Sequence, residues 1–314
     1  MTWKCYELKF KAISGIHIGY RKLGMINQTR YYIPGKTMWG AVTAILSRRF
    51  MENYGDKKIY DEFKEFVKKH LIFSYFYPIR GEDILYPTYE EGLKFGDMSK
   101  EDFENKFISS YVSTAVNPNS RTAEEGSLHE FEYISSKIRK NDNVHFIGYL
   151  FFNEGGNRSI FIKELNDEII IEKSGKEVQL FKEIERIQVG GERNYGFGWL
   201  DLVNHQPKSD KVNLYDSNSS AKVNLKENLT LENTGNNESI TALSHVNIEN
   251  LNFESIQGDI EPFLGREWGN EKDKKGAGQK ISDPIICLTP GTKFRLKENT
   301  KLTINDYGIW QLKT

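Results

Sequence analysis

Four glycines in nine residues, within Gly190-Gly191-Glu192-Arg193-Asn194-Tyr195-Gly196-Phe197-Gly198, constrain this chain more than any other local feature. A backbone so short of Cβ atoms can take positive φ and bring its amides close to another surface. A turn needs one or two glycines, not four with an arginine and two aromatics between them. Exposed amides can cradle a phosphodiester, Arg193 can pair with phosphate or stack, and Tyr195 or Phe197 can stack on a base. The run predicts an RNA contact through Gly190, Gly191, Arg193, Asn194, Tyr195, Gly196 and Phe197. The alternative is a flexible turn between a helix and a strand.

The flanking pattern says what such a loop would close. Residues 3–13 alternate apolar and polar, with a slip near Tyr6, and predict a half-buried strand. Gly15 and Gly19 bracket Ile16-His17-Ile18, and a loop is expected from there to Tyr31. Pro34-Gly35 then opens a helix over 36–50, with Met38, Val42, Ile45 and Leu46 on one face and Arg48 and Arg49 offsetting the dipole in its last turn. Charged, amphipathic residues 58–70 predict a second helix, and aromatic-rich 71–89 predicts strands or an extended excursion.

A strand over 109–116 and a turn over 117–122 follow, then strands 128–135 and 144–153, expected to pair. Val178, Phe181, Ile184 and Ile187 lie three apart and predict a helical stripe over 177–187, ahead of the glycine-rich run and a strand from Trp199 to Val203. Strand, helix, two strands, helix, strand is the order of an α+β ferredoxin-like domain. Residues 205–239 read as long loops with weak strands, and short strands return after Ile240. The expected division is 1–204 and a second, β-rich unit over 205–314.

Composition removes several function classes. No apolar run of about 18 residues predicts a membrane-spanning helix, and the strand-like N-terminus lacks the layout of a secretory signal. Cys5 and Cys287 belong to no ligand-spaced cluster, so neither a disulfide framework nor a cysteine zinc site is expected, and a reducing cytoplasm is the expected location. Net charge is −1, yet residues 1–50 carry nine basic side chains against the single acid Glu7. That asymmetry fits a phosphate-backbone footprint, a solvated basic face or an acidic partner subunit.

Gly35-Lys36-Thr37 resembles the end of a phosphate-binding loop, but Arg30 stands where that motif needs its first glycine, so nucleotide hydrolysis is not expected. A helix start still attracts anions, which leaves Lys36, Thr37 and Trp39 as candidate RNA contacts. Arg21 and Lys22 in the basic N-terminal stretch and Arg121 in the 117–122 turn join them. Gly265-Arg266-Glu267-Trp268 leads to Lys274, Lys275 and Lys280, a basic loop suited to stacking and backbone neutralisation, or simply solvated. His17 lies between glycines, where it could contact RNA, act as a general base, or serve structure alone. The other histidines show no metal-ligand spacing, no Ser-His-Asp or Cys-His set is present, and no cofactor or metal is expected.

Taken together, Ile16-His17-Ile18-Gly19, Tyr32-Ile33-Pro34-Gly35-Lys36-Thr37-Met38-Trp39-Gly40, the aromatic-proline stretch Leu71 to Pro87, Arg121 to Glu132 and the Gly190-to-Gly198 loop resemble the RAMP superfamily of CRISPR-associated proteins. The resemblance covers most of residues 3–203, and the five-type ("Cas-five") group of type III effectors is nearest. Gly265-Arg266-Glu267-Trp268 and Gly278-Gln279-Lys280-Ile281-Ser282 before Pro290-Gly291 are similar to the III-D and type VII members. The resemblance implies two ferredoxin-like folds, the second degenerate, with a β-hairpin thumb inserted somewhere in 75–115. It also implies a non-catalytic subunit that grips the 5′ handle of the crRNA and contacts the first seven-type backbone subunit. Target RNA is then met indirectly, and a separate nuclease or large subunit completes the system. The alternative is a metal-independent, guide-processing endoribonuclease of the six-type group with His17 as general base. In those enzymes the glycine-rich loop lies near the C-terminus, whereas more than a hundred residues follow Gly198 here.

Overall fold

The computed structural model describes residues 2–52, 57–139, 142–157, 159–216, 221–232, 239–271, 274–297 and 300–313. Alternation in the first strand, β1 (Trp3–Ala12), decides the layering. Tyr6, Leu8, Phe10 and Ala12 point to one face of a sheet, while Trp3 and Cys5 point to the other. The slip near Tyr6 is therefore real. Both faces of this strand are covered at its start, and only one further on.

A hairpin of β2 (Gly19–Leu23) and β3 (Ile26–Thr29) fills the stretch expected to be loop. Helices α1 (Gly35–Phe50) and α2 (Lys57–His70) follow within a residue of expectation, then β4 (Leu71–Phe73) and β5 (Tyr77–Arg80). The main sheet runs Arg186–Gln188, Trp199–Lys208, β1, His145–Asn153, β5, Asp83–Ile84, with β4 also on His145–Asn153. Every pairing in it is antiparallel. Along the chain the main sheet and its helices follow as β1, the pair α1 and α2, the strands β4, β5 and Asp83–Ile84, then His145–Asn153, the helical turn Leu180–Glu183, Arg186–Gln188 and Trp199–Lys208, an α+β arrangement.

Two expectations are corrected in detail. Strands His129–Ile134 and His145–Asn153 do not pair with each other. The small hairpin of Lys137–Arg139 and Asp142–Asn143 separates them, and His129–Ile134 instead joins Ile108–Ser113 and, in parallel, β3. The helical stripe is a strand (Lys176–Gln179), one helical turn (Leu180–Glu183) and another strand (Arg186–Gln188), although all four apolar residues are buried. Two-residue turns at Asn166–Asp167 and Ser174–Gly175, each with positive φ at both positions, pull this segment into a meander. Within 75–115 lie β5, a small sheet, the helix Lys100–Phe107 and the strand Ile108–Ser113, whose hairpin partner begins only at His129.

The helices cover one sheet face, where Phe146, Leu150 and Phe152 meet Met38, Val42, Leu46, Phe63 and Phe66. The other face carries Trp3, Ile72, Tyr75, Tyr77, Tyr149 and Phe151, packed on Val223, Leu231, Leu288 and Trp310 from the second half. Among described residues that half has no α-helix, and its strands form an eight-stranded sheet, a three-stranded sheet and a two-stranded hairpin. Polar atoms tie the halves as well: Tyr77 Oη donates to the Leu243 carbonyl at 3.0 Å and Trp3 Nε1 to Asn228 Oδ1 at 2.9 Å. The boundary expected at 204 falls inside the strand Trp199–Lys208.

Candidate nucleic-acid interface

The glycine-rich run is clamped at both ends. Gly191 N–H donates to the His17 carbonyl at 2.9 Å, and Gly198 N–H to the Gly15 carbonyl at 2.8 Å. Gly190 has φ +75°, and a Cβ there would sit 2.1 Å from the His17 oxygen. Gly198 has φ +90°, and its Cβ would meet the Val189 oxygen at 2.0 Å. Only glycine fits either position. Between them Arg193–Tyr195 forms one 3₁₀ turn with Arg193, Asn194 and Tyr195 exposed, and Gln188 Nε2 donates to the Arg193 and Phe197 carbonyls. The loop is a fixed platform rather than a flexible turn.

His17 lies beneath that platform, 5% exposed. Its Nδ1–H donates to the Glu132 carbonyl at 2.6 Å, which leaves Nε2 as the acceptor in the neutral ring. Its ring meets Phe131 edge-on at 5.5 Å. Phe197, expected to stack on a base, packs instead on Phe131 and Tyr133 at 4.9 and 5.0 Å and anchors the loop. Tyr195 is 53% exposed, with His129 and Tyr111 as its aromatic neighbours. Neither neighbour was a sequence candidate, although Ser109, Tyr111 and Ser113 already alternate on one strand face.

The helix start is not an open anion site. Pro34 caps α1, and Gly35 is pressed so closely on the carbonyls of Phe73 and Tyr307 that a Cβ would lie 2.1 and 2.8 Å from them. Lys36, only 9% exposed, places Nζ 3.0 Å from both Glu267 Oε1 and Ser282 Oγ and over the Tyr307 ring. Burial, aided by Lys64 and Lys68, pulls its pKa down despite the Glu267 partner. Trp39 is buried edge-on against Tyr307, and Thr37 sits half-buried with its N–H bonded to the Pro34 carbonyl. An RNA contact through Lys36 or Trp39 is corrected to an internal role, because the second half of the chain covers them.

The remaining candidates scatter. Arg21 donates from Nε to Gln28 and lies over Tyr20, and Lys22 is exposed on the same hairpin. Arg121 is exposed on the excursion between Ser113 and His129. The expected basic loop is a hairpin of Arg266–Glu271 and Lys274–Ile281. Arg266 donates to the Gly278 carbonyl and Lys280 is exposed. Trp268, Lys274 and Lys275 occupy these strands, and their side chains lie outside the described residues.

The basic N-terminal stretch also changes meaning on folding. Lys4, Arg30, Lys36 and Arg49 are paired with Glu154 and Glu164, Glu261, Glu267, and Glu183, all from later in the chain. Arg30, one of the nine N-terminal cations and the mismatch to the phosphate-loop motif, centres a buried network. Its Nη1 lies 2.5 Å from Glu261 Oε1, which also accepts from His245 Nε2 at 2.5 Å, while Tyr75 Oη donates to His245 Nδ1. Burial opposes ionisation of Glu261, but the hydrogen bond from His245 and the charge of Arg30 outweigh it and hold the carboxyl well below its usual range. Burial pushes His245 down and keeps it neutral. The network ends beside the platform, since Arg30 N–H donates to the Ile18 carbonyl.

Among the described residues no group of three or more His, Cys, Asp or Glu could hold a metal, and no helix is long and apolar enough to cross a membrane. Cys5 and Cys287 are free and buried.

No curated protein matches the sequence. In fold, the chain is similar to one in the cryo-EM structure of the type III-B Cmr-beta bound to cognate target RNA and AMPPnP, with 11% identity, a TM-score of 0.51, and 92% of this chain and 85% of the other covered. A chain of the Cmr-beta bound to cognate target RNA compares at 12% identity and TM-score 0.50, covering 92% and 86%. The sequence model of the RAMP superfamily matches residues 9–201. With the α+β sheet, the clamped glycine-rich loop and that match over more than half its length, the chain belongs to the RAMP superfamily.

Proposed function

We propose that this protein is a non-catalytic, five-type subunit of a CRISPR guide-RNA effector complex. In this reading it binds the 5′ handle of the crRNA, caps the backbone of seven-type subunits, meets target RNA indirectly and leaves cleavage to a separate nuclease or large subunit. The observation that carries the reading is the rigid platform presenting Arg193, Asn194 and Tyr195 outward. Fixed amides, a guanidinium and an exposed ring recognise single-stranded RNA by backbone charge and stacking. The similar folds in the RNA-bound Cmr-beta support it. The position of His17 supports a holding role over a cutting one: a general base must reach the proton it takes, and this ring is buried under Gly191.

Binding of handle-containing RNA by the purified chain, measured across 50–200 mM salt, tests the proposal. Arg193→Ala is expected to weaken binding and flatten its salt dependence, with exposed Lys163→Ala as control. Equal affinity for both variants would remove the platform from the interface. Specific cleavage of repeat RNA in EDTA, lost in His17→Ala, would replace the reading with the endoribonuclease.

A further inference from the structure

Beside the platform lies a cluster of rings that the fold does not use up. In the hairpin of Ile108–Ser113 and His129–Ile134, Tyr111 is opposite Phe131 and Ser113 opposite His129. Period-two alternation puts Tyr111, Phe131 and His129 on one sheet face. Phe131 is fully buried under His17 and Phe197 and forms the floor. Above it Tyr111, 43% exposed, and Tyr195 stand with ring centroids 6.5 Å apart and planes inclined by 47°. His129 approaches Tyr195 at 6.3 Å, with Nδ1–H donating to the Ser127 carbonyl so that Nε2 is free to accept.

Buried tyrosines elsewhere spend their hydroxyls on protein: Tyr75 on His245, Tyr77 on Leu243 and Tyr215 on Tyr75. The hydroxyls of Tyr111 and Tyr195 make no hydrogen bond among the described residues. Two exposed rings over a buried floor, with exposed Arg193 two residues from Tyr195, suit a flat π-system joined through a sugar to an anionic backbone.

We propose, resting on the RNA-binding reading above, that Tyr111, His129 and Tyr195 form a stacking site for one unpaired nucleobase of the bound RNA, with Arg193 on the adjoining phosphate. Stacking accepts any base, and His129 Nε2 adds a preference for one presenting an amino N–H.

Affinity of the full chain for single-stranded handle RNA, read by fluorescence anisotropy at several salt concentrations, separates this from the reading beneath it. Tyr111→Ala and Tyr195→Ala are each expected to weaken binding about 5- to 150-fold, the range for loss of one stacked base. The salt slope should not change, and Tyr111→Phe should bind as the parent does. Arg193→Ala should instead lower the slope by about 0.7, one phosphate contact on a single strand. Parent-like affinity in both alanine variants, with Arg193→Ala weakened, overturns the base site and leaves the RNA-binding reading standing. No salt-dependent binding by the parent protein overturns both.

Discussion

Glu261→Gln tests how the second half of the chain is joined to the RNA-facing half. One carboxylate oxygen of Glu261 accepts from Arg30 Nη1 and His245 Nε2, both at 2.5 Å. Glutamine keeps the shape but removes the charge, and the Arg30 side chain, 10% exposed, becomes an uncompensated buried cation. Breaking a buried pair from one side costs about 3–5 kcal/mol. At about 2 °C per kcal/mol for a chain of this size, Tm should fall by about 6–10 °C. Thermal unfolding followed by circular dichroism measures this, and Arg30→Met combined with Glu261→Leu should recover most of the loss because no charge is then left buried. The pH dependence has a definite sign. Burial lowers His245 to about 4, below its ordinary value near 6.5, so stability falls as pH drops through that interval. The depressed Glu261 carboxyl contributes above its ordinary value of 4.5 and is lost as pH falls further. Glu261→Gln should keep the first loss and lack the second. A Tm within about 1 °C of the parent would refute the reasoning, since about 0.5 kcal/mol is what an ordinary surface change produces.

Gly190→Ala should destabilise by well over the roughly 1–2 kcal/mol of a left-handed residue, because its Cβ also strikes the His17 carbonyl. Gly196→Ala, with φ +85° but open space around its Cβ, should cost only that conformational term, and equal melting curves for the two would contradict the clamp. Lys36→Met should lower stability by about 1–3 kcal/mol through the partner left at Glu267. RNA affinity and its salt slope should stay constant in that variant, and a reduced slope would return Lys36 to the interface.

Local signals found much of this architecture, and their failures have physical causes. The helices α1 and α2 were legible because an apolar face recurs at helical spacing whatever packs on it. The stripe at Val178, Phe181, Ile184 and Ile187 was misread as helix because burial recurs every third residue across a strand–turn–strand as well. The Ser174–Gly175 turn held the corrective signal. The glycines at 190 and 198 announced a close backbone approach, but not that the surface approached is the His17 segment more than 170 residues earlier in the chain. Charge misled most. Nine cations in the first fifty residues looked like one basic surface, yet four of them pair with acids supplied by later segments.

The glycine-rich run, the alternation of β1 and the two amphipathic helices are properties of neighbouring residues, so they were already present in the chain as a string. Which cations stay exposed, which aromatics become floor and which become wall, and whether a helix start is open or sealed depend on contacts between residues far apart. Burial decides those outcomes, because an ammonium beside Glu267 or a ring over Phe131 acquires its role only when the fold removes its water.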